Sequence, residues 1–314
     1  MDNTLYLVVP CYNEEEVLPE AARRLGEKLR ALIAAGKISG ESRVLFVNDG
    51  SKDHTWALIA ALHREDKLFS GICLSRNRGH QNALLAGLMT AKDLCDVAVS
   101  MDADLQDDIG AVDAMVDRYL EGCDIVYGVR AKRRTDSFFK RFTAEGFYRL
   151  IRGMGGEVVF NHADYRLMSH RALLALSEYQ EVNLFLRGIV PMLGYKCATV
   201  EYDRGERFAG KSKYPLHKML AFAMEGITSL SDRPLKLLTG AGILSLLLSV
   251  ALLIVFLAVN SPQNPILGWP ILLFAVVFLG GLILLSLGIV GEYIGKIYLE
   301  TKRRPRYFIS ETLL

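Results

Sequence analysis

Two carboxylates, Asp102 and Asp104, stand one residue apart in the run Asp102-Ala103-Asp104-Leu105-Gln106, directly after the apolar stretch Val97–Met101. At an extended strand end, side chains at i and i+2 point to the same side, so the pair can share one hard divalent cation with diphosphate oxygens. Mg²⁺ or Mn²⁺ bound this way neutralises a departing diphosphate. Gln106 offers a neutral oxygen to the same ion, whereas Asp107 and Asp108 suit the first turn of the following helix, where acidic residues complement the dipole. A chain of this length contains about one Asp-x-Asp by chance, so the position after a strand is what gives the motif weight. Polar residues also follow three earlier apolar runs, as Pro10-Cys11-Tyr12-Asn13-Glu14, Asn48-Asp49-Gly50-Ser51 and Ser75-Arg76-Asn77.

Other chemistries fit less well. The turn after the first apolar run contains no glycine, which excludes a dinucleotide-binding GxGxxG there. No apolar strand is read ahead of Gly210-Lys211-Ser212, which argues against a phosphate-binding loop there. His80, His162, His170 and His217 have no metal-ligand spacing. The five cysteines, Cys11, Cys73, Cys95, Cys123 and Cys197, form no CxxC pair and are expected to be reduced, mostly core thiols. With 37 Lys plus Arg against 35 Asp plus Glu, a net charge of +2 gives no general attraction to nucleic acid.

The elements that must position these residues alternate. Apolar runs Leu5–Val9, Arg43–Asn48, Gly71–Leu74, Val97–Met101 and Asp124–Val129 are separated by amphipathic stretches Glu15–Ala35, Thr55–Asp66, Gly79–Ala91 and Ile109–Glu121. This predicts an α/β, Rossmann-like domain with a mostly parallel sheet, whose ligands sit at the carboxyl ends of the strands.

A second region is of another kind, because no ionisable residue lies between Lys236 and Glu292. Two runs, 237–259 and 269–290, are each close to the ~20 residues that span a hydrocarbon core, and a Pro/Asn turn at 260–265 joins them. Two transmembrane helices are predicted. Arg233 and Lys236 before the first, and Lys296, Lys302, Arg303, Arg304 and Arg306 after the second, place both termini in the cytoplasm. The amino terminus shows no signal-peptide pattern. Gly291 and Gly295 form a GxxxG pair, with Gly240, Gly242, Gly280 and Gly281 as further small faces that would suit helix–helix contact or self-association. Aromatic and basic residues alternate from Phe138 to Arg152, which suits a helix in the headgroup plane, and Tyr214 to Ser231 suits a second.

Taken in order, Val8-Val9-Pro10-x-Tyr12-Asn13-Glu14, Val47-Asn48-Asp49-Gly50-Ser51, Ser75-Arg76-Asn77 and Asp102-Ala103-Asp104-Leu105-Gln106 resemble family 2 inverting glycosyltransferases of the GT-A fold. Asp164-Tyr165-Arg166-Leu167-Met168, Arg187-Gly188 and Arg207-x-x-Gly210-x-Ser212-Lys213-Tyr214 are similar to the polyprenyl-phosphate branch, which includes dolichyl-phosphate mannose synthase and bactoprenol glucosyltransferases. The resemblance implies that Pro10, Tyr12, Glu14 and Asp49 hold the base and ribose, that Asp102, Asp104 and Gln106 hold diphosphate and metal, and that Asp164 faces the donor sugar. It implies Arg130 at the acceptor phosphate and Arg207 and Lys213 near the phosphates. Asn13, Arg76, Asn77 and Ser212 belong to the same motifs and join the substrate-binding candidates. Arg141, among Arg133, Arg134 and Lys140, is a candidate second acceptor contact without a unique match.

The expected organisation is therefore a GT-A domain over 1–214, an interfacial helix over 215–236, spans over 237–259 and 269–290, and a cytoplasmic basic tail over 291–314. The implied reaction is inverting transfer from a nucleotide sugar, UDP-linked by resemblance and carrying glucose or N-acetylglucosamine, to undecaprenyl phosphate at a bacterial inner membrane. A separate flippase and a downstream glycosyltransferase are the expected partners in cell-envelope modification. Two other readings stay open. A processive polysaccharide synthase would carry Gln-x-x-Arg-Trp, which neither Trp56 nor Trp269 supplies; a non-catalytic membrane scaffold would have no use for Asp102, Asp104, Arg130 and Arg207.

Overall fold

A computed structural model describes residues 3–130, 162–182, 185–203, 205, 233–259 and 269–314. The expected headgroup-plane helices (138–152 and 214–231) and the turn at 260–265 lie outside the described residues. The chain divides into two units, one of residues 1–149, 157–215 and 304–314, the other of residues 150–156 and 216–303.

In the first unit, β1 (Leu5–Cys11), α1 (Leu18–Ala34), β2 (Arg43–Asn48), α2 (Thr55–Glu65), β3 (Phe69–Leu74), α3 (His80–Ala91), β4 (Val97–Ser100), α4 (Ala111–Leu120) and β5 (Ile125–Arg130) follow the alternation read from the sequence. Every residue of β1, β3 and β4 is buried, as it must be where helices cover both faces of a parallel sheet. On one face Leu7, Val9 and Phe46 meet Leu25 and Leu29 of α1 and Met115 of α4; on the other, Val8 and Val47 meet Leu84 and Leu88 of α3. Two layers of helix thus clamp one sheet. α1 begins at Leu18, later than expected, because the Glu14 carbonyl first accepts the amides of Val17 and Leu18 in a turn.

The remaining strands are ones the apolar pattern did not announce. β6 (His162–Ser169) runs antiparallel between β4 and β5, β7 (Cys197–Tyr202) lies parallel beside β5, and β8 (Ile309–Leu313) runs antiparallel along β3. The order is β7-β5-β6-β4-β1-β2-β3-β8. The carboxyl ends of β1 to β5 and the amino end of β6 therefore share one edge. α5 (His170–Ser177) and α6 (Leu186–Met192) pack beside α3 on the second face.

Residues 304–314 correct the expectation of a basic tail. Arg306 donates to the carbonyls of Tyr179 and Glu181, the Phe308 carbonyl accepts from the Ser75 amide, and the Trp56 indole nitrogen donates to Glu311 at 3.1 Å. The segment is an integral strand of the sheet. Four of the five cysteines are buried and all are free, in keeping with core thiols.

In the second unit both apolar runs are helical, as α7 (Arg233–Val259) and α8 (Trp269–Lys302). α8 extends twelve residues past the expected boundary because nothing in Gly291–Lys302 breaks a helix. Among the described residues, one helical stretch, Phe278–Lys302, is long and apolar enough to cross a membrane by length and composition.

Close approach of α3 to the sheet has a specific requirement. A Cβ on Gly87 would stand 2.4 Å from Cγ1 of Val8 and 2.6 Å from Cγ2 of Val47. Gly87→Ala is expected to destabilise the domain by about 1–3 kcal/mol through overpacking, read as a lowered thermal midpoint; an unchanged midpoint would contradict this packing.

Candidate active site

Three loops at the shared edge are knitted by their own polar groups. The Asn13 amide donates to Ser51 Oγ at 3.0 Å, Asn13 Oδ1 accepts the Lys52 amide at 2.9 Å, and the Glu14 amide donates to Thr55 Oγ1 at 2.9 Å. Asn13 takes a positive φ of 54°, a conformation asparagine tolerates better than most residues. Beyond this junction Tyr12 is exposed and Pro10 is buried at the end of β1. Asn48 is buried and accepts the Ser51 amide, closing the turn after β2.

Asp49, expected at the base and ribose, also has internal partners. It is buried, and its two oxygens accept the amides of Arg78 at 2.7 Å and Gly79 at 3.0 Å. It therefore shapes the wall formed by the β3–α3 loop, which presents Arg76 and Asn77 to solvent. Burial outweighs these two amides and raises its carboxyl pKa. Gly50, at φ +64°, is required where this loop passes over the turn, since a Cβ would stand 2.5 Å from the Arg76 carbonyl carbon.

At the end of β4, Asp102 and Asp104 are joined by two further aspartates. Desolvation in this crowded corner raises the Asp102 pKa; Asp107, Asp164 and Asp104 push it the same way, and His80 opposes them. The Asp104 Oδ1 accepts the Gln106 amide at 3.1 Å, and the intervening Leu105 has a positive φ of 58°. The Gln106 carbonyl in turn accepts the Gly205 amide. Among the described residues no three His, Cys, Asp or Glu side chains gather as a complete metal site. Two carboxylates and an amide are instead the partial oxygen set that suits Mg²⁺ or Mn²⁺ when substrate phosphates complete the shell.

Asp107 is not a helix-start residue. α4 begins at Ala111, and Asp107 is buried, accepting the Tyr202 hydroxyl at 2.6 Å with Arg130 Nη2 3.9 Å away. Arg130, at the end of β5, is thereby fixed between a carboxylate and a phenol, its Nε reaching the Tyr202 oxygen at 3.4 Å. Asp108 closes the turn before α4 by accepting the Gly110 amide.

Asp164, at the start of β6, is also enclosed. Its Oδ1 accepts from Arg166 Nη2 at 2.6 Å and its Oδ2 from Arg187 Nη2 at 2.9 Å. Burial alone would raise this carboxyl, but the two guanidiniums outweigh it and hold it well below the usual carboxylate range. The imidazole of His80, the first residue of α3, bridges the two acidic groups: its Nε2 is 3.5 Å from Asp102 and 3.7 Å from Asp164. Sequence reading passed over His80 because its partners are distant in the chain. Arg141, Arg207, Ser212 and Lys213 lie outside the described residues.

Asp49→Ala would leave the Arg78 amide without its acceptor and the Gly79 amide to Asn77 Oδ1 alone. Stability is expected to fall by about 1 kcal/mol, and the β3–α3 loop to lose amide-exchange protection at Arg78; retained protection there would contradict the role assigned to Asp49.

The model of the family described as glycosyl transferase family 2 matches residues 6–176. Over 306 residues the chain is 52% identical to an uncharacterized glycosyltransferase of Bacillus subtilis (strain 168), YkoT, covering 98% of this chain and 91% of that protein. Over 311 residues it is 39% identical to the bactoprenol glucosyl transferase of Shigella phage SfV, covering 97% of each. Among solved structures, mannosyl-3-phosphoglycerate synthase from Rubrobacter xylanophilus shares the fold, with a TM-score of 0.50 at 14% identity over 74% of each chain. With strand-end motifs on a sheet of this order and relatives that match almost end to end, the chain belongs to glycosyl transferase family 2 and is a glycosyltransferase of bactoprenol glucosyltransferase type.

Proposed function

We propose that this enzyme transfers a sugar, with inversion, from a UDP-sugar to undecaprenyl phosphate at the cytoplasmic face of a bacterial inner membrane. The observation that carries the reading is the order of groups along the sheet edge: the β1 and β2 loops, then Asp102 and Asp104 just after β4, then Asp164 on β6 and Arg130 on β5. The first two loops suit the nucleoside. Asp102 and Asp104, with Gln106, would hold Mg²⁺ or Mn²⁺, which supplies neutralising charge to the leaving diphosphate. Arg130, held in place by Asp107 and Tyr202, offers a cation on the far side of those carboxylates. The described acidic groups need not act as a base, because a phosphate monoester is already anionic at neutral pH and needs alignment rather than deprotonation. Glucose is the favoured donor sugar, by the name of the phage relatives, with N-acetylglucosamine as the other candidate.

The path of the chain supports two membrane crossings. Residues 216–303 leave the first unit and residues 304–314 rejoin it, with β8 paired to β3. Strand pairing requires both partners on one side of a membrane, so the intervening segment crosses an even number of times. α7 and α8 supply two apolar helices for that passage. Both flanks are then cytoplasmic, beside a lipid phosphate headgroup.

Transfer of radiolabel from UDP-glucose to undecaprenyl phosphate in detergent, with and without Mn²⁺, tests the reading directly. The wild-type chain is expected to give a chloroform-soluble sugar lipid, and Asp104→Ala to lower the rate by about 10²–10³-fold. No product from folded wild-type protein, or undiminished product from the variant, would overturn it.

Metal affinity carries a pH signature. A cation competes with the proton at Asp102, and a raised pKa means that this competition begins at higher pH than for an ordinary carboxylate. Mn²⁺ affinity in the presence of UDP is expected to be full well above that pKa and to fall by up to about tenfold per pH unit below it. A flat profile across the acidic range, measured by calorimetry, would exclude Asp102 as a ligand.

A further inference from the structure

We propose that Arg187 receives the acceptor's phosphate, and that Asp164 and Arg166 are positioning residues acting through it; this inference rests on the transfer reaction proposed above. In-line displacement at the sugar carbon requires the incoming oxygen to approach opposite the departing diphosphate. With the nucleoside over β2 and β1 and the diphosphate at β4, that approach lies over β6 and β5. Besides Arg130 on β5, this side of the sheet carries the trio Asp164, Arg166 and Arg187.

Exposure separates their roles. The Asp164 side chain is 7% exposed, with an arginine on each oxygen, so it is too enclosed to hold a sugar hydroxyl. Arg166 is 1% exposed and donates through Nη1 to the carbonyl of Leu186, the residue before Arg187. It pins the start of α6. Arg187 is the member that meets solvent, at 32% side-chain exposure, and Asp164 fixes the plane of its guanidinium from behind through contacts to Nε and Nη2. A guanidinium so oriented matches phosphate oxygens in a two-point fork and keeps its charge at any working pH. His80 locates it: the imidazole that touches Asp102 also touches the Asp164 oxygen nearest Arg187, so a single side chain separates the arginine's anchor from the cation-binding carboxylates.

The test uses the full chain in detergent with UDP-glucose and undecaprenyl phosphate, and wild-type turnover tests the reaction before any variant is read. Arg187→Gln is expected to raise KM for undecaprenyl phosphate by about tenfold or more, with KM for UDP-glucose changed by less than about twofold. Arg187→Lys should fall between, since it keeps the charge and loses the fork. Asp164→Asn should shift the same KM, and the double variant Asp164→Asn/Arg187→Gln should be no worse than Arg187→Gln alone. An unchanged acceptor KM in Arg187→Gln, a loss confined to the donor KM, or multiplicative effects in the double variant would overturn the assignment. Should Asp164→Asn fail to fold, the two Arg187 variants decide alone, because they alter a side chain at the surface of the site.

Discussion

Four aspartates converge on the carboxyl end of β4, and three of them, Asp107, Asp164 and Asp104, raise the cost of ionising the fourth, Asp102. The fold answers them differently. Asp164 is neutralised from behind by Arg166 and Arg187, and Asp107 is tied to Tyr202 and Arg130. Asp102, facing the half-exposed His80, keeps a raised pKa and an excess of negative charge around it. Such a corner is unfavourable when only water fills it and favourable when a divalent cation arrives with a diphosphate. The crossing of β6 between β4 and β5 is what brings Asp164 there, so this antiparallel strand is a functional part of the sheet.

Attachment of residues 304–314 ties the helical region to the same domain at both ends. β8 extends the sheet beside β3, whose following loop carries Arg76 and Asn77, while Arg306 fastens the carbonyls just ahead of α6. Thus the segment that follows α8 braces two of the loops that border the site.

Sequence patterns revealed the first nine elements because strands buried on both faces read as unbroken apolar runs between amphipathic helices. β7 and β8 escaped for the opposite reason: β7 alternates in burial, and β8 is an exposed edge strand containing Glu311, so neither stands out from a loop. At the site, Asp102 and Asp104 were legible from spacing and position after a strand. Asp107 was misread because its partner Tyr202 lies on β7, far along the chain, and only tertiary packing reveals a buried carboxylate there. Asp49 and Asp164 were found by motif, yet their work as internal acceptors for amides and guanidiniums shows only in three dimensions.

The central claim is the division of the sheet edge into a nucleotide side and an acceptor side with Asp102 and Asp104 between. A structure of the protein in a lipid nanodisc with UDP, Mn²⁺ and undecaprenyl phosphate measures it most directly. The expected result is uracil against the loops after β1 and β2, the diphosphate at Asp102 and Asp104, and the lipid phosphate over β6 and β5. A lipid phosphate on the β1 side of those carboxylates, or a diphosphate bound away from them, would contradict it.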